Sequence, residues 1–178
     1  MHCPDEYNRI EIDDASTGER LTRGDRKPAD FFHSRLAGSP GGKRLLSAGW
    51  VWHPFDAVAL FDIASSLEDP RRLDSNEGVP YGPIGAAVEE ASAAFIDDDR
   101  LMIAGSDDTE NEEDTPGTKL GRRGLAVVDL ESRKCISSVQ LSEAAGTIMP
   151  LGPSLVVSLF REPKLIEVAR TSQDISRT

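Results

Sequence analysis

The side chains that point most clearly to binding chemistry are aromatic residues between two apolar runs of the sequence. Four of them lie close together and a fifth stands in a later segment: Trp50, Trp52, His53, Phe55 and Tyr81. Tryptophan and tyrosine supply much of the binding energy in protein interfaces, so this group predicts a surface that binds a protein partner. A second interpretation stays open, because alternation along a strand would turn Trp50 and Trp52 to one side, where they would pack as core.

Two further features of the sequence bear on metal binding. His53 is kept as a contact in the aromatic surface, but no second histidine or cysteine accompanies it, which favours a structural role over a metal ligand. The acidic stretch at residues 107–114 offers carboxylates to a hard cation such as calcium, yet its spacing differs from that of an EF-hand loop. We therefore predict a solvated loop there, able to attract a basic partner, and no metal or cofactor.

Nucleophile and nucleotide motifs are missing from the sequence. Ser39 lacks the glycine pattern of a nucleophile elbow, and Gly78–Ala87 lacks the G-x-G-x-x-G spacing of a dinucleotide site. Cys3 and Cys135 resemble neither a disulfide framework nor a zinc cluster. No catalytic residue is predicted, and the sequence favours a binding protein over an enzyme.

Charge and hydropathy narrow the range of partners. The 20 basic and 31 acidic residues give a net charge of −11, which repels phosphate backbones and argues against a nucleic-acid partner. Basic proteins are the electrostatically favoured partners. The polar N-terminal segment does not resemble a secretory signal, and no apolar stretch reaches the roughly 20 residues that span a bilayer. A cytoplasmic protein without a membrane partner is therefore predicted.

The elements that must position the aromatic side chains are predicted to be short strands and turns. One recurring hairpin pattern consists of an apolar run, an aspartate and a turn. Its copies are Arg9–Thr22, Ala57–Asp74, Gly124–Leu141 and a weaker one at Lys164–Ser176. In the first three copies the aspartate is Asp14, Asp62 or Asp129, and its carboxylate is expected to accept hydrogen bonds from the turn. Gly18 suits a turn position with positive φ.

A second pattern, two strands joined by a tight turn, precedes three of these hairpins. Its copies are Ser34–Gly49, Ser92–Ser106 and Thr147–Phe160, with turns at 40–42, 97–99 and 152–153. Each full copy therefore predicts four antiparallel strands. Repetition of such four-stranded units is typical of a β-propeller.

Two segments carry a resemblance to known propellers: "SPGGKRLLSAG…VALFDIAS" and "IDDDRLMIAGS…LAVVDLESRKCISSVQL". Both resemble blades of the WD40 and YVTN-type propeller superfamily. Asp62 and Asp129 stand where such repeats often carry the aspartate that closes the third strand, with Phe61 and Val128 in place of the usual tryptophan. The resemblance implies an all-β fold, a β-propeller-like array of four-stranded antiparallel blades within a single domain, 1–178.

The array contains three and a half predicted blades: a half blade at 9–22 and blades at about 34–74, 92–141 and 147–176. Four blades are the usual minimum for closure. Three explanations stay open. The chain is a partial propeller from a longer protein, or two chains form a homodimer that completes one ring, or the fold is a four-bladed or sandwich-like one with further strands.

The propeller interpretation places the long connections on one face of the molecule. They are Arg23–Phe32, Gly49–Asp56, Asp74–Gly85 and Asp107–Arg123. Long loops on a rigid scaffold are a common place for binding sites. Our hypothesis is a non-enzymatic interaction scaffold that binds a protein through this face with the aromatic group. The alternatives are an enzyme or small-molecule-binding propeller with a site at the ring axis, and a truncated repeat with no independent role.

Overall fold

The structure is a computed structural model, and it describes residues 1–51, 55–75, 88–105 and 123–168. The chain forms two compact units, an N-terminal unit of residues 1–79 and a C-terminal unit of residues 80–178. Within the described residues the fold is mostly β, as the sequence predicts, with three antiparallel sheets of three or four strands. The expected single domain stays a prediction.

The N-terminal unit contains one three-stranded sheet in the order β1-β2-β3. Its strands are β1, Phe31–Gly38; β2, Arg44–Val51; and β3, Phe55–Asp62. The predicted turn at residues 40–42 joins β1 to β2, with Gly42 at φ +71° and its N–H donating to the carbonyl of Ser39. The register of β1 shifts between His33 and Arg35, which marks a bulge opposite Gly49.

A hairpin precedes this sheet and packs against it. Residues 9–22, predicted as strand, turn and strand, form a hairpin closed by a bridge between Asp13 and Arg20, with Gly18 at φ +72° as expected, and their assignment as a half blade stays a prediction. Its Ile10 and Ile12 are buried and join one apolar cluster with the sheet. The other buried members are Phe31, Leu45, Ala57, Ala59, Phe61 and Leu73. The hairpin and the sheet therefore share one apolar core.

The three recurring aspartates do what the sequence predicts. The Oδ1 atom of Asp14 accepts the N–H of Thr17 at 2.8 Å, Asp62 accepts that of Ser65 at 2.8 Å, and Asp129 accepts that of Ser132 at 2.7 Å. In each case the donor lies three residues after the aspartate. These bonds lower the pKa of the Asp14 and Asp62 carboxyls. One Asp-x-x-Ser/Thr turn thus recurs at the end of three apolar runs.

The fourth strand predicted within residues 34–74 is wrong. After Asp62 the chain forms helix α1, Ile63–Glu68, and then a 3₁₀ helix, Pro70–Asp74. Asp62 is the N-cap of α1, so the same carboxylate that closes a hairpin elsewhere begins a helix here. Pro70 stands at the start of the second helix, a position where its missing N–H costs nothing, and Leu73 is buried in the core.

Replacing the Asp62 cap tests how firmly this helix is held. Asp62→Ala is expected to lower the unfolding free energy of the N-terminal unit by about 1 kcal/mol, because the Ser65 N–H loses its acceptor. Both tryptophans of the chain lie in this unit, so urea unfolding followed by tryptophan fluorescence reports it. Asp62→Asn keeps an acceptor and is the matched control. Equal losses in the two variants would contradict the capping role.

The C-terminal unit contains the other two sheets. One has four strands in the order β4-β5-β6-β7, and the next has three in the order β10-β9-β8. The strands are β4, Val88–Phe95; β5, Arg100–Gly105; β6, Gly124–Asp129; β7, Lys134–Gln140; β8, Thr147–Pro150; β9, Leu155–Phe160; and β10, Glu162–Glu167. The first of these sheets is the four-stranded antiparallel meander predicted for residues 92–141. The fourth strand predicted for the last blade falls on 169–176, outside the described residues.

Strands β5 and β6 are buried on both faces. One face of these strands packs on the sheet β10-β9-β8. The apolar cluster between the two sheets includes Met102, Ala104, Leu125, Val127, Ile148 and Val156. The alternate positions Leu101, Ile103, Ala126 and Val128 are buried as well. The two sheets also meet at their first strands, where the Ser92 hydroxyl donates to the carbonyl of Gly146 at 2.7 Å.

Candidate functional site

Three aromatic rings of the N-terminal unit form a continuous parallel stack. The ring centroids of Phe32 and Trp50 are 3.7 Å apart with an interplanar angle of 6°. Those of Tyr7 and Phe32 are 4.2 Å apart with an angle of 4°. Phe32 is therefore covered on both faces, whereas Tyr7 lies at one end of the stack and is 57% exposed. We call Tyr7, Phe32 and Trp50 the aromatic stack.

Three neighbouring chain segments hold the rings in this row. Phe32 of β1 and Trp50 of β2 are direct cross-strand partners, a position that brings side chains close together. The N–H of His33 donates to the carbonyl of Tyr7 at 3.2 Å, which fixes residue 7 beside β1. The side-chain amide of Asn8 donates to the carbonyl of Ala29 at 3.3 Å and ties down the same segment. The stack is thus set by the pairing of β1 with β2 and by the hydrogen bonds that hold Tyr7 and Asn8 in place.

The structure places only part of the predicted aromatic group. Trp50 lies in β2 and not in a loop, so the predicted loop position is wrong, and its ring packs on Phe32 while it stays partly exposed. Phe55 is the first residue of β3. The predicted contacts Trp52, His53 and Tyr81 lie outside the described residues and stay predictions. The acidic stretch at 107–114 lies outside them too.

Sequence reasoning missed Tyr7 and Phe32. Phe32 carried a usable signal, because a strand beginning near residue 31 and turning at 40–42 must pair with the segment that holds Trp50. Tyr7 carried none, because its place in the stack depends on the path of the chain between the hairpin and β1. The aromatic stack therefore combines residues that are distant in sequence, and the sequence indicated only one of them, Trp50.

A histidine–serine pair lies next to the stack on the same strands. The Nδ1 atom of His33 is 2.6 Å from the hydroxyl of Ser47, and the ring also hydrogen-bonds to the backbone of Asn8. Ser47 is fully buried, so its hydroxyl is closed to a substrate. Burial lowers the pKa of His33 to about 4, and the charge of Arg26 acts in the same direction. The pair ties β1 to β2 as a neutral hydrogen bond.

The partly buried His33 makes the N-terminal unit sensitive to acid. The unfolded chain binds a proton at this imidazole near pH 6.5, whereas the folded state resists protonation until about pH 4. Stability conferred by neutral His33 is therefore present above pH 6.5 and is lost as the pH falls toward 4. After allowance for the ring's partial exposure, we expect a loss of about 2 kcal/mol across that window. Urea unfolding by tryptophan fluorescence at several pH values measures it.

The matched variant is His33→Gln, which keeps a neutral polar side chain. Its unfolding free energy should change less than that of the wild type between pH 6.5 and 5. Carboxyls such as Asp13, Asp14 and Asp62 have pKa values below their ordinary range, so their contribution is lost only at lower pH. Parallel pH curves for the wild type and the variant would show that His33 is not the responsible group.

A buried ionic network links the hairpin to the end of the 3₁₀ helix. The Nε and Nη2 atoms of Arg26 donate to Oδ1 of Asp74 at 2.8 and 2.5 Å, and its Nη1 donates to the carbonyl of Ile10 at 2.8 Å. The same Nη1 lies 3.7 Å from the carboxylate of Glu11. Glu11 is fully buried and also contacts Arg9 and the hydroxyl of Thr22. The network joins residues far apart in sequence.

A second exposed surface lies on the last sheet. Met149, Val157 and Leu165 form a cross-strand row over β8, β9 and β10, and Leu159 lies near the row. The exposed fractions are 54% for Met149, 47% for Leu159 and 63% for Leu165. Because Ile148 and Val156 occupy the opposite, buried face, this sheet is apolar on both sides. We call Met149, Leu159 and Leu165 the outer apolar face.

Other kinds of site find no support in the described part of the chain. Within residues 1–51, 55–75, 88–105 and 123–168, no group of three or more His, Cys, Asp or Glu side chains is placed to hold a metal ion. Cys3 and Cys135 are free thiols whose pKa is raised by burial. Among the same residues, no helix is long and apolar enough to cross a membrane.

Comparison with known proteins gives no relative on which to base a function. No family model, no curated protein and no solved structure matches the chain significantly.

Proposed function

We propose that this chain is a non-enzymatic protein-interaction module that binds its partner through the aromatic stack. The observation that carries the proposal is a preformed row of three parallel rings whose end member, Tyr7, is largely exposed. Exposed tyrosine and tryptophan are the residues most often found at the energetic centre of protein interfaces. Trp52, His53, Phe55 and Tyr81 are further contacts in this proposal.

Rigidity is what makes the stack suited to binding. Phe32 is held between two rings, and the backbone at Tyr7 is bonded to His33, so few rotamers are lost when a partner covers the surface. The surface also lies where β1 begins and β2 ends. Binding surfaces are commonly carried at such ends of a rigid sheet.

For the fold as a whole we propose a propeller-like array of blades. Three features support it. An Asp-x-x-Ser/Thr turn recurs at the end of three apolar runs, the two sheets of the C-terminal unit share an apolar core, and their first strands β4 and β8 touch. Sheets stacked face to face with their first strands in contact are what radial repetition produces.

Affinity capture with matched variants tests the interaction function. Tagged wild type, Tyr7→Ala and Leu67→Ala would be used to capture proteins from a lysate of the source cells, with quantitative mass spectrometry as the readout. Leu67 is an exposed residue of α1 and serves as the control. We expect at least one protein whose recovery falls more than fivefold with Tyr7→Ala and is unchanged with Leu67→Ala. Identical recovery with all three baits would contradict the proposal.

We further propose that a second copy of the chain covers the outer apolar face, as a homodimer that completes the propeller. The inner face of the same sheet already packs on a β-sheet through apolar rows, so another sheet of this kind fits the outer one. Light scattering should give a mass that rises with concentration from 19.3 kDa toward twice that value. Leu165→Lys should hold the mass at that of one chain, whereas Leu67→Lys should not. A constant single-chain mass for the wild type would contradict it.

A further inference from the structure

His33 connects the aromatic stack to the inside of the N-terminal unit. Its backbone N–H donates to the carbonyl of Tyr7 at 3.2 Å, and its ring hydrogen-bonds to the backbone of Asn8. Phe32, which precedes it in β1, is the middle ring of the stack. The main chain and the side chain of one histidine therefore hold residues 7 and 8 against β1, beside the stack.

The segment held by His33 lies outside the core. Residues 7 and 8 belong to no helix or strand, and Tyr7 is 57% exposed. Segments with little burial and no sheet ladder open at a lower free energy than the core of a protein does. Ile10 and Ile12 of the hairpin, by contrast, are buried in the apolar cluster. Loss of the His33 bonds is therefore expected to release residues 7 and 8 while the hairpin stays in place.

The site of the His33 ring suits a neutral imidazole better than a charged one. Phe31 of β1 and Phe61 of β3 lie against the ring, with centroid distances of 4.8 and 6.5 Å, and β2 contributes the uncharged Ser47. The cavity beside the ring measures about 10 Å³, which is room for about one water molecule. Burial therefore lowers the pKa of His33 to about 4, and the bond to Asn8 opposes only part of this shift.

The charged groups around the ring are also unfavourable to an imidazolium. Arg26 adds a positive charge that lowers the pKa of His33, and the next residue, Lys27, is an exposed cation. Asp74 of the 3₁₀ helix lines the same cavity, but its Oδ1 accepts two N–H groups of Arg26 and its Oδ2 accepts the backbone N–H of Lys27. On β1 the next charged residue along the chain is Arg35, another cation. Asp74 is thus already engaged, while the cations oppose a charge on His33.

Release of the ring into water removes this cost. An imidazole in water takes up a proton near pH 6.5, whereas His33 in its site does so only near pH 4, so acid favours the released state. We propose that protonation of His33 detaches residues 7 and 8 from β1 and removes Tyr7 from the aromatic stack, which switches partner binding off in moderately acidic solution. This regulation rests on the proposed interaction function.

Native-state hydrogen exchange by NMR tests the release directly, because the amide of His33 cannot exchange until its bond to Tyr7 opens. After allowance for the ring's partial exposure, its protection factor is expected to fall about tenfold between pH 7 and pH 5, beyond the intrinsic pH dependence of exchange. Low concentrations of urea should leave its rate unchanged, since a local opening exposes little surface. The control is the amide of Leu21, which donates to the carbonyl of Ile12 at 2.8 Å and should respond to urea.

His33→Gln is the matched variant, because its neutral side chain does not take up the proton, and His33→Asn is a second one in case the first fails to fold. In either variant the amide of residue 33 should keep its protection between pH 7 and pH 5. The inference would be overturned if the protection factor of His33 is constant in the wild type, falls equally in the variants, or follows urea as that of Leu21 does.

Capture from a lysate of the source cells at pH 7 and pH 5 separates this regulation from the binding function. The wild type should recover its Tyr7-dependent partner about fivefold less at pH 5, and this loss should disappear with His33→Gln. The same loss in the variant, or equal recovery by the wild type at both pH values, would contradict the regulation and leave the interaction function in place. If no captured protein depends on Tyr7 at either pH, the interaction function fails, while hydrogen exchange still decides whether His33 controls the stack.

Discussion

Gly49→Ala is expected to lower the unfolding free energy of the N-terminal unit by about 3 kcal/mol, because β1 leaves no room for a methyl group. A Cβ at residue 49 would lie 1.8 Å from the carbonyl oxygen of Phe32 and 3.0 Å from the ring of Phe31. Backbone atoms cannot swing away as a flexible side chain can, so the two strands must separate. Urea unfolding followed by tryptophan fluorescence measures the loss.

The matched control lies on the neighbouring strand. Gly38 is exposed at the other end of β1, and a Cβ there would meet no atom within 4 Å. Gly38→Ala should therefore leave stability unchanged or raise it slightly, since alanine restricts the unfolded chain. Because Phe32 holds the middle of the aromatic stack, Gly49→Ala should also impair partner capture. A Gly49→Ala variant as stable as Gly38→Ala would contradict the prediction. It would mean that the backbone of β1 moves to make room for the methyl group at little cost in free energy.

Arg26→Met is expected to cost about 3 to 5 kcal/mol, the usual result of removing one member of a buried ionic network. The substitution keeps much of the side-chain volume but leaves buried Glu11 with fewer cationic neighbours, and Asp74 loses two hydrogen bonds. It also leaves the carbonyl of Ile10 without its side-chain donor. The loss should appear in the same urea experiment on the N-terminal unit.

Arg20→Met is the control for this prediction. Arg20 pairs with Asp5 and Asp13, but its side chain is partly exposed, so solvent screens the charges and the expected loss of stability is much smaller than for Arg26→Met. A double-mutant cycle with Asp74→Asn isolates the direct interaction, and the combined variant should lose less than the sum of the single losses. Equal losses of unfolding free energy with Arg26→Met and Arg20→Met would contradict a stabilising role of the buried network.

Local chemistry explains which parts of the fold could be predicted from the sequence. The turns at 40–42, 97–99 and 152–153 are present, because glycine, proline and aspartate determine the backbone directly. The three aspartates bond to their turns because donor and acceptor lie three residues apart. The four-stranded meander also follows from such signals, since each strand pairs with its neighbour in sequence.

The predicted strand after Asp62 is wrong because the same local sequence signal is compatible with two structures, a hairpin turn and a helix N-terminus. An aspartate followed by a serine three residues later closes a hairpin at Asp129 but caps a helix at Asp62. The outcome at Asp62 depends on the residues that follow, Ile63–Glu68, and on Leu73, which packs in the core. That packing is a tertiary interaction, so the turn signal alone does not determine it.

The binding surface was harder to predict than the fold. Trp50 was recognisable as an aromatic residue beside an apolar run, but its neighbours in space are Phe32 and Tyr7, from two earlier segments. Their arrangement depends on the pairing of β1 with β2 and on the hydrogen bond that holds Tyr7 beside His33. The same holds for the network of Arg26 and Asp74, two surface-type residues that the fold buries together.

Site-specific photo-crosslinking tests most directly whether the aromatic stack is the binding surface. The photoreactive amino acid p-benzoylphenylalanine would replace Tyr7 in one protein and Leu67 of α1 in another, and both would be irradiated in a lysate of the source cells. We predict that position 7 forms a discrete covalent adduct with a partner and that position 67 does not. Adducts of the same yield and mass at both positions, or none at position 7 while the partner is still captured, would contradict binding through the stack.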